Sequence, residues 1–407
     1  MKTYFWWQWR VTRRVVPVLV LFLIVVGGAV FLFIRSLHQQ QRYIAQYKAD
    51  IQFNIVRRRK KSDAEDKRLN TWILPQLRNE ESALQSPTQY AAGFAQSLTI
   101  LVHPTPSDGQ PAGLRKQFSA LVIPWTTAFG GQEINTTVTE LALVKKRHIT
   151  PMYPARLLLN EQSAQYFTES SASYQRYVQK VGQRFYERAW YFLQELIRQN
   201  GGLILGGIIS CILAWRYALQ IHAGSRNSII FTALGVAPIK QYWASLLFNT
   251  IAAFLFVVTS VSLFLLLSAW CNGWGALNYP MLTWRGNAVM YSHVFINLEI
   301  LLGGEVLLFL GSILFSLSFT HLLSVVVKQP LAVLLATLSL WGIPLVAPNW
   351  RWAPWTYFNF SRVADGYTKV FFQTYDVVGG MAVLLVWASL LSVLGAIWLI
   401  LGERRHG

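Results

Sequence analysis

The chain has 407 residues, of which 53% are aliphatic, aromatic or cysteine and only 13% are charged, far below the roughly one quarter expected of a soluble domain. That balance excludes an ordinary water-soluble fold and places the chain in lipid. The net charge of +18 would suggest nucleic acid in a soluble protein, but here the basic residues are scattered over loop ends and one long polar insert, so membrane lipids and not nucleic acid are the expected partner.

Charge-free stretches run from Val15 to Ile34, Gln199 to Trp215, Gln241 to Trp284, Val306 to Val327, Gln329 to Trp350 and Val377 to Gly402. A bilayer core takes about 20 residues of helix, so six spans are predicted. The first follows a basic leader (Lys2, Arg10, Arg13, Arg14), yet its apolar core is longer than that of a secretory signal. No clean small-x-small cleavage site precedes the polar run Ser36 to Gln41, so it reads as an uncleaved signal-anchor.

Between the first and second spans lies a polar segment too long for a connecting loop. It reads as an α+β domain over 36–200. Its first part, Ser36 to Asn70, continues helically out of the membrane. Runs at Ser97 to Val102, Ser119 to Ile123 and Ile134 to Val144 look like strands separated by Pro- and Gly-containing turns. From Ser171 to Arg198 apolar residues recur at a helical period, and Arg176, Lys180, Arg184 and Arg188 form a row at i, i+4 spacing. That row reads as a solvated or headgroup-facing flank, as does Arg57 to Lys61.

Orientation is read from the short loops. With the N-terminus inside, ten Lys/Arg fall in cytoplasmic segments and four in short outer loops. Both termini are therefore expected in the cytoplasm and the 36–200 domain outside, although that domain is itself basic, with 21 Lys/Arg against 13 Asp/Glu.

After the second span, the segment 216–240 is too long for a tight turn and too amphipathic for a flexible link. A short interfacial helix there would bury Ile229, Ile230, Ala233 and Leu234, with Gly235 ending it and Pro238 opening the next helix. Two carboxylates, Glu299 and Glu305, interrupt apolar sequence; six residues apart on a helix they lie about 120° from each other and cannot form one acid pair. Glu299 reads as solvated near the outer boundary. Glu305, beside Gly303 and Gly304, belongs to a subunit interface, a transport path or a structural polar contact. His321 reads as structural. Trp341, Trp350, Trp352, Trp355, Tyr357 and Phe358 mark an interfacial aromatic belt. Cys211 and Cys271 are too far apart along the spans for a disulfide, and no metal-ligand spacing occurs.

The order of a first span, a large outer domain, a second span and an inner segment ending in Leu234-Gly-Val-Ala-Pro238 and Lys240 resembles the ABC-2 type transporter permeases. So do the stretch Trp350-Arg-Trp-Ala-Pro-Trp-Thr-Tyr-Phe-Asn-Phe before the last span, followed by Asp365-Gly366, and the short turn Ser324-Val-Val-Val-Lys-Gln-Pro330. The likeness covers roughly Gly201 to Gly402 and the first span. One departure is His222-Ala-Gly-Ser-Arg-Asn-Ser, which has no carboxylate where the family often carries acidic residues.

The resemblance implies an all-α transmembrane bundle of six helices, with the α+β domain inserted between the first two. The resulting division is 1–35 (N-terminus and first span), 36–200 (extracytoplasmic domain) and 201–407 (five-helix membrane region). It also implies a coupling surface for an ABC-type ATPase at Arg226, Asn227, Ile230, Leu234, Gly235, Pro238 and Lys240. An outer gate or interface at Pro354, Tyr357 and Asn359, and pairing into a homodimer or with a second permease, follow from the same likeness. No Walker A pattern occurs in the sequence, so ATP and its Mg are expected on the partner ATPase, with no cofactor or catalytic residue on this chain. The expected function is export of a hydrophobic or amphipathic substrate (peptide, drug or lipid-like) across the cell membrane. The alternative is a non-transporting membrane sensor or peptide-immunity protein.

Overall fold

A computed structural model describes residues 16–60, scattered positions between 67 and 95, and residues 131–152, 158, 184–221 and 237–406. Five helices among the described residues are long and apolar enough to cross a membrane, so the chain is an α-helical membrane protein. They are α1 (Val16–Arg59), α4 (Gly201–Ile221), α5 (Pro238–Asn272), α6 (Leu298–Val327) and α10 (Val377–His406). The remaining elements are α2 (Gly131–Lys146), α3 (Ala189–Arg198), β1 (Pro280–Gly286), β2 (Tyr291–Asn297), α7 (Pro330–Gly342), α8 (Phe360–Ala364) and α9 (Tyr367–Phe372).

The expected span Gln329 to Trp350 is shorter than its apolar run. Its helix has 13 residues and gains only a 3-10 turn at Ile343–Leu345. Pro344 and Pro348 end it by removing backbone donors. At about 1.5 Å per residue this helix is shorter than a hydrocarbon core of about 30 Å. Its start is sharply defined: α6 ends at Val327, Lys328 takes a left-handed conformation with φ 54°, and Pro330 opens α7. These three features produce a two-residue helix–helix turn.

Contacts divide the chain into two compact units. One comprises Met1–Val30, Phe192–Cys271 and Met281–Gly407. The other comprises Phe31–Tyr191 and Asn272–Pro280.

In the larger unit α6 is central. It packs along α10 through close approaches at small residues: an added Cβ at Gly311 would lie 2.6 Å from Met381 Sδ, and one at Gly304 would lie 3.1 Å from Val377. Gly303 faces open space, so only the second of the two glycines supports helix contact within the chain. Ser392 Oγ donates to Ser318 Oγ at 3.0 Å, and the Ser318, Thr320 and Ser324 hydroxyls of α6 return to their own helix carbonyls, whereas those of Ser312 and Ser316 make no hydrogen bond. Small residues and satisfied hydroxyls let helices approach where lipid removes any hydrophobic drive between them. Across the bundle, Gly206 on α4 seats the Trp341 indole of α7, where a Cβ would meet the ring at 2.2 Å. His321 is fully buried, stacked on Tyr217 at 3.8 Å. Its Nδ1 pairs with Leu317 O at 2.8 Å and its Nε2 with Asn249 Nδ2 at 3.4 Å, so the imidazole is tied into helix packing.

A β-hairpin not foreseen from sequence joins α5 to α6. Its tip is an Asx turn: Asn287 Oδ1 accepts from the Val289 and Met290 amides at 3.1 and 2.8 Å. The Trp284 amide donates to Asp365 O at 2.7 Å. Gly366 follows at φ 84°, and a Cβ there would sit 2.5 Å from Trp284 O, so close backbone approach requires glycine.

In the smaller unit the C-terminal half of α1 carries a buried stripe at Gln40, Tyr43, Ile51, Ile55 and Arg58, a helical period. The run Ile134 to Val144 is helical, not a strand: Thr137, Glu140, Leu141 and Val144 are its buried face. The β-branched cluster Thr136-Thr-Val-Thr139 gives a strand-like propensity, but burial follows a period of 3.6, and packing decides. The other two strand-like runs, and Arg176 and Lys180, lie outside the described residues. The helix expected from Ser171 begins only at Ala189 among the described residues, leaving Arg184 and Arg188 before it.

Candidate functional site

The segment between α7 and α10 folds over the bundle and partly covers an open cavity of about 730 Å³, within the range of small-molecule sites. Phe315 and Phe319 of α6, Leu340 of α7, and Trp387 and Leu391 of α10 form its walls, and the segment Trp350 to Trp355 forms its roof. Two prolines and a 3-10 turn at Pro354–Phe358 keep the roof from continuing either helix. Side-chain to backbone bonds then fix it. Thr356 Oγ1 accepts from the Trp350 amide at 3.0 Å and donates to the Trp350 carbonyl at 2.9 Å. Trp387 Nε1 donates to Trp352 O at 3.0 Å. The Tyr357 hydroxyl donates to Arg351 O at 2.6 Å.

Tyr357 is fully buried, its ring laid on Gly380, where a Cβ would lie 2.4 Å away. It therefore anchors the roof to α10 and does not line the opening. Pro354 does line the cavity. Asn359 is half-buried at the start of α8, its side chain making no cap bond. The aromatic belt read from the sequence divides in two. Trp350 and Trp352 are 60% and 67% exposed, whereas Trp341, Tyr357 and Phe358 are core residues, with Trp341 and Phe358 rings 4.6 Å apart. The walls carry no sequence signal: Phe319 and Leu391 look like any lipid-facing residue until the roof is in place.

Arg351 supplies the cationic group at the rim. Its guanidinium lies over the Tyr375 ring at 4.2 Å, and among the described residues no carboxylate pairs with it. Asp376 instead accepts from the Gly379 amide at 3.1 Å and from Lys369 Nζ at 3.1 Å. The Gly379 hydrogen bond first, then Lys369, hold its carboxyl below the usual aspartate value.

The two expected intramembrane carboxylates have opposite fates. Glu299 is exposed and accepts from Asn297 Nδ2 at 3.1 Å. Glu305 is 1% exposed, accepting from Gln194 Nε2 of α3 at 2.9 Å. Ser361 of α8 is near enough to interact with the carboxyl, but Glu305 Oε2 and Gln194 Oε1 make no hydrogen bond.

Of the expected coupling residues, Arg226, Asn227, Ile230, Leu234 and Gly235 lie outside the described residues. Pro238 opens α5 and is exposed, as is Lys240. Both cysteines are free.

The smaller unit holds a second buried polar group. Arg184 makes two bonds to Glu140, at 2.7 and 2.6 Å, and the Tyr279 hydroxyl donates to the same carboxylate at 2.9 Å. The reading of Arg184 as a solvated flank is corrected: its side chain is 9% exposed. Burial works against its charge, but Glu140 outweighs this and raises the guanidinium above its ordinary value. Burial also pushes the Tyr191 phenol up to about 12. This cluster holds the 272–280 loop in place: Ala189 N–H donates to Gly273 O at 3.1 Å, Asn272 Nδ2 to Glu187 O at 2.8 Å, and Ala276 N–H to Tyr191 Oη at 3.1 Å.

Compared with known proteins, the chain matches no family model, no curated protein and no solved structure.

Proposed function

We propose that this chain is the permease subunit of an ATP-binding-cassette exporter that moves a hydrophobic or amphipathic substrate across the cell membrane. The observation that carries the reading is the roofed apolar cavity within the helix bundle, a space suited to a greasy ligand. The five long helices support a multi-span subunit, in which the shorter α7 takes the place of a sixth span without crossing the full core, and the two-residue turn at Lys328 and Gln329 supports the permease-like order of the last helices. Both termini are then cytoplasmic, the subunit pairs with a second permease, and a separate ATPase docks on the segment 216–240. The sequence has no nucleotide-binding loop of its own, in keeping with that division of labour.

The test is affinity purification of the tagged full chain from its native membranes, followed by an ATP-hydrolysis assay. A co-purifying ATPase is expected, lost in Arg226→Glu. Pro238→Ala should retain the ATPase but uncouple its hydrolysis from substrate. Recovery of wild-type chain without ATP hydrolysis above the empty-membrane control would overturn the proposal and favour a non-transporting sensor.

A further inference from the structure

We infer that the roofed cavity is a binding site for one anionic phospholipid, with an acyl chain in the apolar interior and the phosphate at Arg351. Depth is the first argument. Arg351 stacks on Tyr375, two residues before α10 begins at Val377, so the cation sits at the end of a membrane-length helix. On α10 the lining is Trp387 and Leu391, the second about 20 Å of helix below that end at 1.5 Å per residue. One leaflet of hydrocarbon is about 15 Å deep. Leu391, the lining residue farthest along α10, thus lies about one leaflet from the cation at the rim.

Chemistry is the second argument. The walls named above are apolar, while the rim carries an arginine with no carboxylate partner among the described residues. Exposed indoles at Trp350 and Trp352 flank that arginine, and amphipathic rings of this kind favour the headgroup boundary. An apolar interior below one unpaired cation complements a chain attached to a phosphate; a zwitterionic headgroup places its own cation against the same guanidinium. The rim is set before any ligand arrives, since Thr356, Tyr357 and Trp387 hold the roof by hydrogen bonds, and preorganisation lowers the cost of binding.

The site does not depend on the export reading, because occupancy is measured without ATP or a partner. The full chain is purified from bilayers of equal phosphatidylglycerol and phosphatidylcholine, and retained lipid is counted by native mass spectrometry. Wild type should keep one phospholipid per chain, with phosphatidylglycerol favoured about fivefold, the effect of one basic residue at a membrane surface. Arg351→Gln, an exposed position, should retain lipid but lose the preference. Ser339→Trp fills the cavity from α7 and should lose bound lipid of both headgroups; Leu391→Phe is a milder filling that should lower retention should the tryptophan variant not fold. Equal retention of the two lipids by wild type, an unchanged preference in Arg351→Gln, or unchanged retention in the cavity-filling variants would overturn the inference. An amphiphile from the native membrane retained in place of either phospholipid would overturn it too, and would make the cavity a substrate site.

Discussion

Glu140 and Glu305 are both essentially removed from solvent, at 1% exposure each, yet their surroundings differ in kind. Glu140 meets a bidentate arginine and a tyrosine hydroxyl. Glu305 meets one amide donor, and an acceptor oxygen on each side of that pair is left without a donor. The first arrangement stabilises by satisfying charge; removing either partner strands the other. The second leaves polar capacity unused, which is uncommon for buried groups. The smaller unit therefore uses its buried charge as a fastening, whereas the membrane bundle keeps a polar position whose full complement of partners is not supplied among the described residues.

The largest effect is expected for Glu140→Ala. It leaves Arg184 buried and uncompensated, so a loss of about 3–5 kcal/mol is expected, read as early protease cleavage and lowered thermal unfolding of the smaller unit. Glu140→Gln should recover part of it by keeping a hydrogen bond. Survival of Glu140→Ala at wild-type stability would show that the pair fastens nothing.

Alkaline pH tests the same cluster from the phenol side. The folded chain holds the Tyr191 proton to about pH 12, whereas the unfolded chain releases it near 10. Stability from this group is full below pH 10 and is lost as pH rises through about 12. Two pK units correspond to about 2–3 kcal/mol. Burial shifts Tyr279 in the same direction. Tyr191→Phe should flatten the alkaline loss, measured by unfolding across the pH series with tyrosinate absorbance as the second readout.

How much of this was legible in the sequence depends on which period carried the information. The long helices follow from charge-free length. The exposure of Glu299 follows from its place at the end of the apolar run, and Glu305 lies deeper in it; their roughly 120° separation says only that they do not form one acid pair. Helix α2 was misread because three threonines and a valine in a row satisfy strand propensity while the buried positions keep a helical period. Hairpin β1–β2 was hidden because Gly286 and Asn287 sit next to a long apolar run that reads as span. Arg184 looked like one of a solvated row because its partner lies 44 residues earlier, and sequence spacing carries no signal for so distant a pairing. The roof of the cavity was visible as Pro- and Trp-rich sequence, but its walls come from three helices and needed the packing.

A smaller effect is expected at the start of α10, where Asp376 caps the helix through Gly379. Asp376→Ala should cost about 1 kcal/mol, as for other helix N-caps. Faster hydrogen exchange of the first-turn amides of α10 would check it, and unchanged exchange would assign the cap to the backbone alone.

The smallest expected effect is the most informative about the comparison. In Glu305→Gln the new amide keeps a carbonyl oxygen for Gln194 Nε2 and adds N–H donors where the wild-type pair has two acceptors without one. Replacing an incompletely satisfied acceptor by a donor of similar shape removes a desolvation cost, so the change in stability should stay within about 1 kcal/mol and can be favourable. The identical substitution at Glu140 discards an ionic partner of Arg184 and should destabilise by clearly more. Measuring both variants side by side, by thermal unfolding in the same detergent, turns the contrast into one difference. If Glu305→Gln proved as damaging as Glu140→Gln, Glu305 would be holding a charge-dependent contact, and a cationic group reaching it from the residues outside the described ones or from a second subunit would have to be sought by cross-linking. If instead it unfolds like wild type while the proposed export is lost, the carboxyl's role lies in transport and not in the fold.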